Sequence, residues 1–146
     1  MTILVVNGPN LNMLGQREPD IYGATTLEEI EASIKQYADR MGMTVSFFQS
    51  NVEGRIIDFI QENASITSGI IINAGALTHT SISLRDCLTT VAAPVIEVHI
   101  SNIYAREEFR HISLLAPVVK GQITGLGWEG YLLAMDYLFS EANRGG

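Results

Sequence analysis

In the run Val95-Ile-Glu-Val-His99 a carboxylate and an imidazole stand two residues apart among apolar neighbours. A strand repeats every two residues, so Glu97 and His99 share a face with Val95 while Ile96 and Val98 face the other way. A carboxylate beside an imidazole can orient the ring, the preparation that a general acid or base needs. The lesser alternative is a satisfied structural pair, since charge in a central strand is tolerated only when paired. Three of the seven arginines lie in two further segments: Arg17 in NGPNLNMLGQREPDIYG, from Asn7 to Gly23, and Arg106 and Arg110 in SNIYAREEFR. On an acidic chain such a local cluster fits a small anionic substrate. Each arginine could also be solvated charge paired with Glu18, Glu107 or Glu108.

Tyr22 closes the first of these segments. An ordinary phenol ionises near pH 10, about three units or roughly 4 kcal/mol away from use as a base at neutral pH. One arginine at about 4 Å, at an effective dielectric of about 20, supplies a Coulomb term of that size. Desolvation opposes it, so a second cation would help, and Arg17 and Arg106 are both available. The commoner fate of a tyrosine is a packed ring with its hydroxyl satisfied.

These residues need elements to hold them. Runs rich in Val, Ile and Phe predict strands at Thr2 to Asn7, Thr44 to Gln49, Gly69 to Asn73, Pro94 to Ile100 and Val118 to Thr124. ILVV and GIIIN are apolar on both faces, as in a parallel sheet covered on each side. Thr26-Leu-Glu-Glu29 and Ser50-Asn-Val-Glu53 read as capping boxes that open helices from Leu27 to about Met41 and from Val52 to about Asn63. A third helix follows Thr80 and a fourth begins near Glu129. This succession predicts an α/β fold, a flavodoxin-like doubly wound five-stranded parallel sheet in the order 2-1-3-4-5. Ligands of such sheets bind beyond the carboxyl ends of the strands, between the first and third. There Asn7-Gly-Pro-Asn10, Asn73-Ala-Gly75 and His99-Ile-Ser101 should meet. Each asparagine alone could be a turn former.

The 146 residues are the length of one domain, 1–146, with a real core. Nine Lys and Arg against sixteen Asp and Glu give a net charge of -7, which opposes nucleic-acid binding. Cys87 is the only cysteine, excluding an intrachain disulfide framework and fitting a reducing cytoplasm. No signal segment or membrane span is read in the chain. The loop after the first strand has neither GxxxxGK[ST] nor GxGxxG. It is not the Ser/Thr-rich phosphate loop of a flavodoxin, and a receiver domain would need acids where Asn7 and Asn73 stand. His79, His99 and His111 show no metal-ligand spacing such as HExxH.

The motifs NGPNLNMLGQREPDIYG, QSNVEG, NAGALTHTSISLRD, EVHISN, AREEFR and GLGWEGYLLAM run through almost the whole chain. In order and spacing they resemble the type II dehydroquinases, also called type II 3-dehydroquinate dehydratases. The resemblance implies a lyase that removes water from 3-dehydroquinate, giving 3-dehydroshikimate through an enolate with no metal, cofactor or Schiff base. The same reaction serves aromatic biosynthesis and quinate breakdown. By resemblance Tyr22 is the base, held as tyrosinate by Arg17 with Arg106 nearby, and Asn10 positions a water at the enolate oxygen. His99, oriented by Glu97, protonates the departing hydroxyl. Asn73, His79 and Arg110 hold substrate hydroxyls, the N–H groups of Ile100 and Ser101 hold its carboxylate, and Asp86 reaches a neighbouring subunit's site. The family also implies a dodecamer of four trimers. Tyr104, Leu77 and Ile112 stand where relatives often carry histidine, tyrosine and a polar residue. On this reading the long opening loop is a lid that carries the base. A non-catalytic binding module on the same scaffold, the competing class, would need no activated tyrosine.

Overall fold

The computed structural model describes residues 1–16 and 18–144. Its sheet has five parallel strands, β1 (Thr2–Asn7), β2 (Thr44–Gln49), β3 (Gly69–Asn73), β4 (Val95–His99) and β5 (Gly121–Thr124), in the order β2-β1-β3-β4-β5. The expected flavodoxin-like order is therefore the observed one. Helices α1 (Pro19–Tyr22), α2 (Leu27–Met41), α3 (Glu53–Asn63), α4 (Leu77–Thr80), α5 (Ile82–Thr89) and α6 (Glu129–Arg144) connect and cover the strands.

Both faces of the central strands are buried, because alternate side chains feed two cores. Ile3, Val5, Ile71, Ile96 and Val98 pack with residues of α2 and α6. Leu4, Val6, Ile70, Ile72 and Val95 pack with residues of α3 and α5. Glu97 and His99 have the parity of Val95 and so fall on the second side, whereas Asn7 and Asn73 have the parity of Ile3 and Ile71 and fall on the first.

Thr26 does form its capping box with Glu29, and α2 runs over the expected residues. The second box does not form. Ser50 is held to the sheet by its N–H on Asn7 O at 3.1 Å, and its hydroxyl accepts from Val52 N–H at 2.9 Å. Val52 becomes the N-cap, with no side-chain cap, and α3 starts at Glu53. β4 is a residue shorter than Pro94 to Ile100 at each end: Pro94 has no N–H for the ladder, and the Ile100 carbonyl accepts from Gly127 N–H in the loop beyond β5. β5 begins at Gly121 rather than Val118: Ala116–Val118, with Pro117 in its first turn, is a 3-10 turn.

Candidate active site

The carboxyl ends of β1, β3 and β4 meet at one rim, with Asn7 paired in register with Asn73. The chains leaving β1 and β3 pass so closely that a β-carbon on Gly8 would meet Ala74 O at 2.3 Å. Gly75 at φ 59° and Asn10 at φ 70° take the left-handed turns that bring these loops over the rim. Asn10 is tied by its N–H to Asn51 Oδ1 at 2.9 Å. Gln49 Nε2 donates to Gly8 O at 3.2 Å and lies 3.3 Å from Asn51 Oδ1.

A cleft opens beyond this rim. Asn10, Tyr22, Asn73 and His79 line it together with His99, Ile100, Ser101, Arg106 and Arg110. Glu97 stands behind His99, fully buried, and accepts from the ring's Nε2. That bond fixes the tautomer and leaves Nδ1 as the nitrogen for proton transfer. The expected face-sharing of Glu97 and His99 is thus realised as contact. His79 bonds through Nδ1 to the Ile112 carbonyl at 2.8 Å, so Nδ1 carries the proton and Nε2 keeps a lone pair. Burial moves His79 below the ordinary histidine pKa, opposed by that backbone bond, so the neutral ring is favoured. The two rings have centroids 6.5 Å apart.

Tyr22 Oη accepts from Arg106 Nη1 at 2.6 Å, and the guanidinium carbon lies 5.1 Å from the tyrosine ring centroid. Arg106 is nearly buried, its side chain 11% exposed, and also reaches Ser101 Oγ at 3.4 Å. Its Nε is buried and has no hydrogen-bond partner among the described residues, with Glu107 Oε1 at 3.7 Å. Arg110 donates through Nε to both carboxylate oxygens of Glu107 at 3.3 Å. The expected contact of Arg17 with Tyr22 lies outside the described residues. Asp86 is exposed on α5 and does not line the cleft.

Sequence reasoning missed three supporting residues. Tyr131 of α6, fully buried, donates to Asn7 Oδ1 at 2.5 Å and accepts from Asn73 Nδ2 at 3.1 Å. Burial raises its phenol pKa strongly, so it remains a neutral hydroxyl. Ser113 and Gln122 both donate to Glu97. A buried acid in a strand signals that donors must exist, but not which residues supply them. Among the described residues no three of His, Cys, Asp and Glu gather as a metal site would, and no helix is long and apolar enough to cross a membrane.

A doubly wound sheet with a phenol, guanidinium, imidazole and carboxylate at its switch point defines an α/β enzyme of flavodoxin-like fold with an acid–base cleft. A family model described as "Dehydroquinase class II" matches residues 1–139, and the chain belongs to that family. It is 55% identical over 145 residues to the 3-dehydroquinate dehydratase of Roseiflexus castenholzii, covering 99% of this chain and 92% of that one. With the 3-dehydroquinate dehydratase of Bacillus subtilis it is 54% identical over 138 residues, 94% of this chain and 93% of the other. The crystal structure of type II dehydroquinase from Butyrivibrio crossotus superposes with a TM-score of 0.93 at 52% identity, over 94% of this chain and 97% of that one.

Proposed function

We propose that the chain dehydrates 3-dehydroquinate to 3-dehydroshikimate, the activity in the names of its curated relatives, by an anti elimination through an enolate. The observation that carries the mechanism is a phenol on a guanidinium and an imidazole on a carboxylate, lining or backing one cleft. Tyr22 Oη takes a proton from the carbon beside the ketone, and the electron pair moves onto the ketone oxygen. Arg106, at 2.6 Å, balances the charge that the oxygen of Tyr22 carries as a base. Arg17, by family resemblance, adds a second cation there.

Asn10 positions a water against the enolate oxygen. As the enolate collapses, the hydroxyl on the next carbon leaves with a proton from protonated His99, whose ring Glu97 holds. A proton passed from Tyr22 to His99 resets both groups, so the net change is loss of one water. Neutral His79, Asn73 and Arg110 bind substrate hydroxyls, and the N–H groups of Ile100 and Ser101 bind its carboxylate. The carbonyls of those two residues are already engaged by Gly127 N–H and Thr124 Oγ1.

Neither metal nor cofactor enters these steps. Residues 1–146 act as one catalytic domain, cytoplasmic and assembled as a dodecamer of four trimers, with Asp86 reaching a neighbour's site. Turnover of 3-dehydroquinate, followed as the rise in ultraviolet absorbance of the conjugated product, tests the activity. A pure, folded protein with no turnover rejects it.

A further inference from the structure

Among the described residues Glu97 accepts hydrogen bonds from three side chains. His99 Nε2 and Gln122 Nε2 both reach Oε2, the latter at 3.0 Å. Ser113 Oγ lies 2.9 Å from Oε2 and 3.0 Å from Oε1. The same Ser113 oxygen accepts from the N–H groups of Leu115 at 3.1 Å and Ala116 at 2.9 Å. A hydroxyl has two lone pairs and one proton, so with both lone pairs engaged its proton is directed to Glu97. Gln122 is oriented in a similar way: its Oε1 accepts from the Tyr104 hydroxyl at 3.4 Å, which turns the amide nitrogen to Glu97.

The segment carrying Ser113 is itself anchored. The Ile112 carbonyl takes His79 Nδ1, Leu114 N–H donates to Thr78 O at 2.8 Å, and Leu114 O accepts from Arg85 Nη1 at 3.1 Å. Ile112-Ser113-Leu114 therefore supports both imidazoles of the cleft, one through its backbone and the other through Glu97.

From this geometry we infer that Ser113, assisted by Gln122, is a positioning residue for the acid–base chemistry. It holds Glu97 as an acceptor-only anchor, so that His99 keeps one ring orientation and one tautomer. The inference rests on the role proposed above for His99. Without the Ser113 hydroxyl, Glu97 can rotate and the imidazole loses its fixed direction. A misplaced proton donor lowers turnover without removing substrate contacts, which is a loss in kcat rather than a rise in KM.

The test compares the parent with His99→Ala, Ser113→Ala, Ser113→Thr and Gln122→Leu in steady-state turnover of 3-dehydroquinate, with thermal melting and ¹⁵N NMR of the His99 ring. An active parent and a His99→Ala enzyme slowed by about 100-fold or more support the reading on which the inference stands. An inactive parent, or an active His99→Ala enzyme, overturns that underlying reading. With it in place, Ser113→Ala should lower kcat on the order of 10- to 100-fold, with KM within about twofold and the Nε2-protonated signature of His99 lost. Ser113→Thr, which keeps the hydroxyl, should recover most of the rate. Folded Ser113→Ala with parental kcat and spectrum overturns the inference, as does a loss confined to melting temperature or KM. If Ser113→Ala fails to fold, Gln122→Leu carries the test: a smaller fall in kcat with an altered His99 signal supports the inference, and parental values overturn it.

Discussion

Arg106 grips Tyr22 at two places, its hydroxyl and its ring face, so the half-buried tyrosine is held by a cation that is itself nearly buried. Tyr22→Phe keeps the ring and its packing but removes the proposed base. Its kcat should fall by roughly 10²- to 10⁴-fold with KM little changed and the circular dichroism of the parent retained; near-parental turnover would remove tyrosine from the mechanism. His79 gives a prediction in stability. Its folded pKa lies below the unfolded value, so the unfolded chain binds more protons between the two. The contribution is fully present above the unfolded value of about 6.5 and is lost as pH falls through the folded one. Denaturant titrations at pH 7.5 and pH 5 should show a smaller loss on acidification in His79→Gln than in the parent; equal losses would dismiss the neutral-ring assignment. At this scale the Glu97–His99 pair was legible because a period of two is local. The contact of Arg106 with Tyr22 could not be read from spacing, since the position of Arg106 depends on the irregular turns at Ile103–Ala105 and Glu108–Arg110.

At the scale of elements, two motifs of the same capping-box pattern had different outcomes. Thr26 is free to cap α2, whereas Ser50 is still bonded to the end of β1 and spends its hydroxyl on Val52. Sequence shows the box but not the tether. The α6 contribution was equally hidden, because Tyr131 is separated from Asn7 and Asn73 by 124 and 58 residues. Tyr131→Phe leaves a buried acceptor on Asn7 and removes one partner of Asn73, a cost of about 1–3 kcal/mol. It should also weaken substrate binding, because Asn73 lines the cleft and loses an orienting contact. Thr26→Ala costs about 1 kcal/mol through its cap and should leave kcat and KM alone. Denaturant midpoints beside steady-state kinetics separate the two variants: both lose stability, and only Tyr131→Phe changes KM. Equal kinetics in both would mean that Tyr131 supports the fold alone.

For the whole molecule, sheet order was legible from the alternation of strand and helix patterns, but the surface carried no pattern from which a subunit number could be read. The isolated chain leaves Ile82 65% exposed at the start of α5, with Asp86 exposed four residues on. Residues four apart share a helix face, so an apolar side chain and a carboxylate are presented together. A single exposed isoleucine is ordinary in a monomer, and the proposed assembly makes a sharper demand. If Asp86 completes a neighbour's site, activity and association must fall together on dilution. Sedimentation velocity should show at least a trimer at concentrations where the enzyme is fully active, and a fully active monomer would refute the shared site. Asp86→Ala removes an exposed side chain and should leave the melting of the subunit fold nearly unchanged, within about 0.5 kcal/mol. Its expected effect is a raised KM, a smaller species in sedimentation, or both. An Asp86→Ala enzyme with parental KM and parental mass would confine the active site to residues of one subunit.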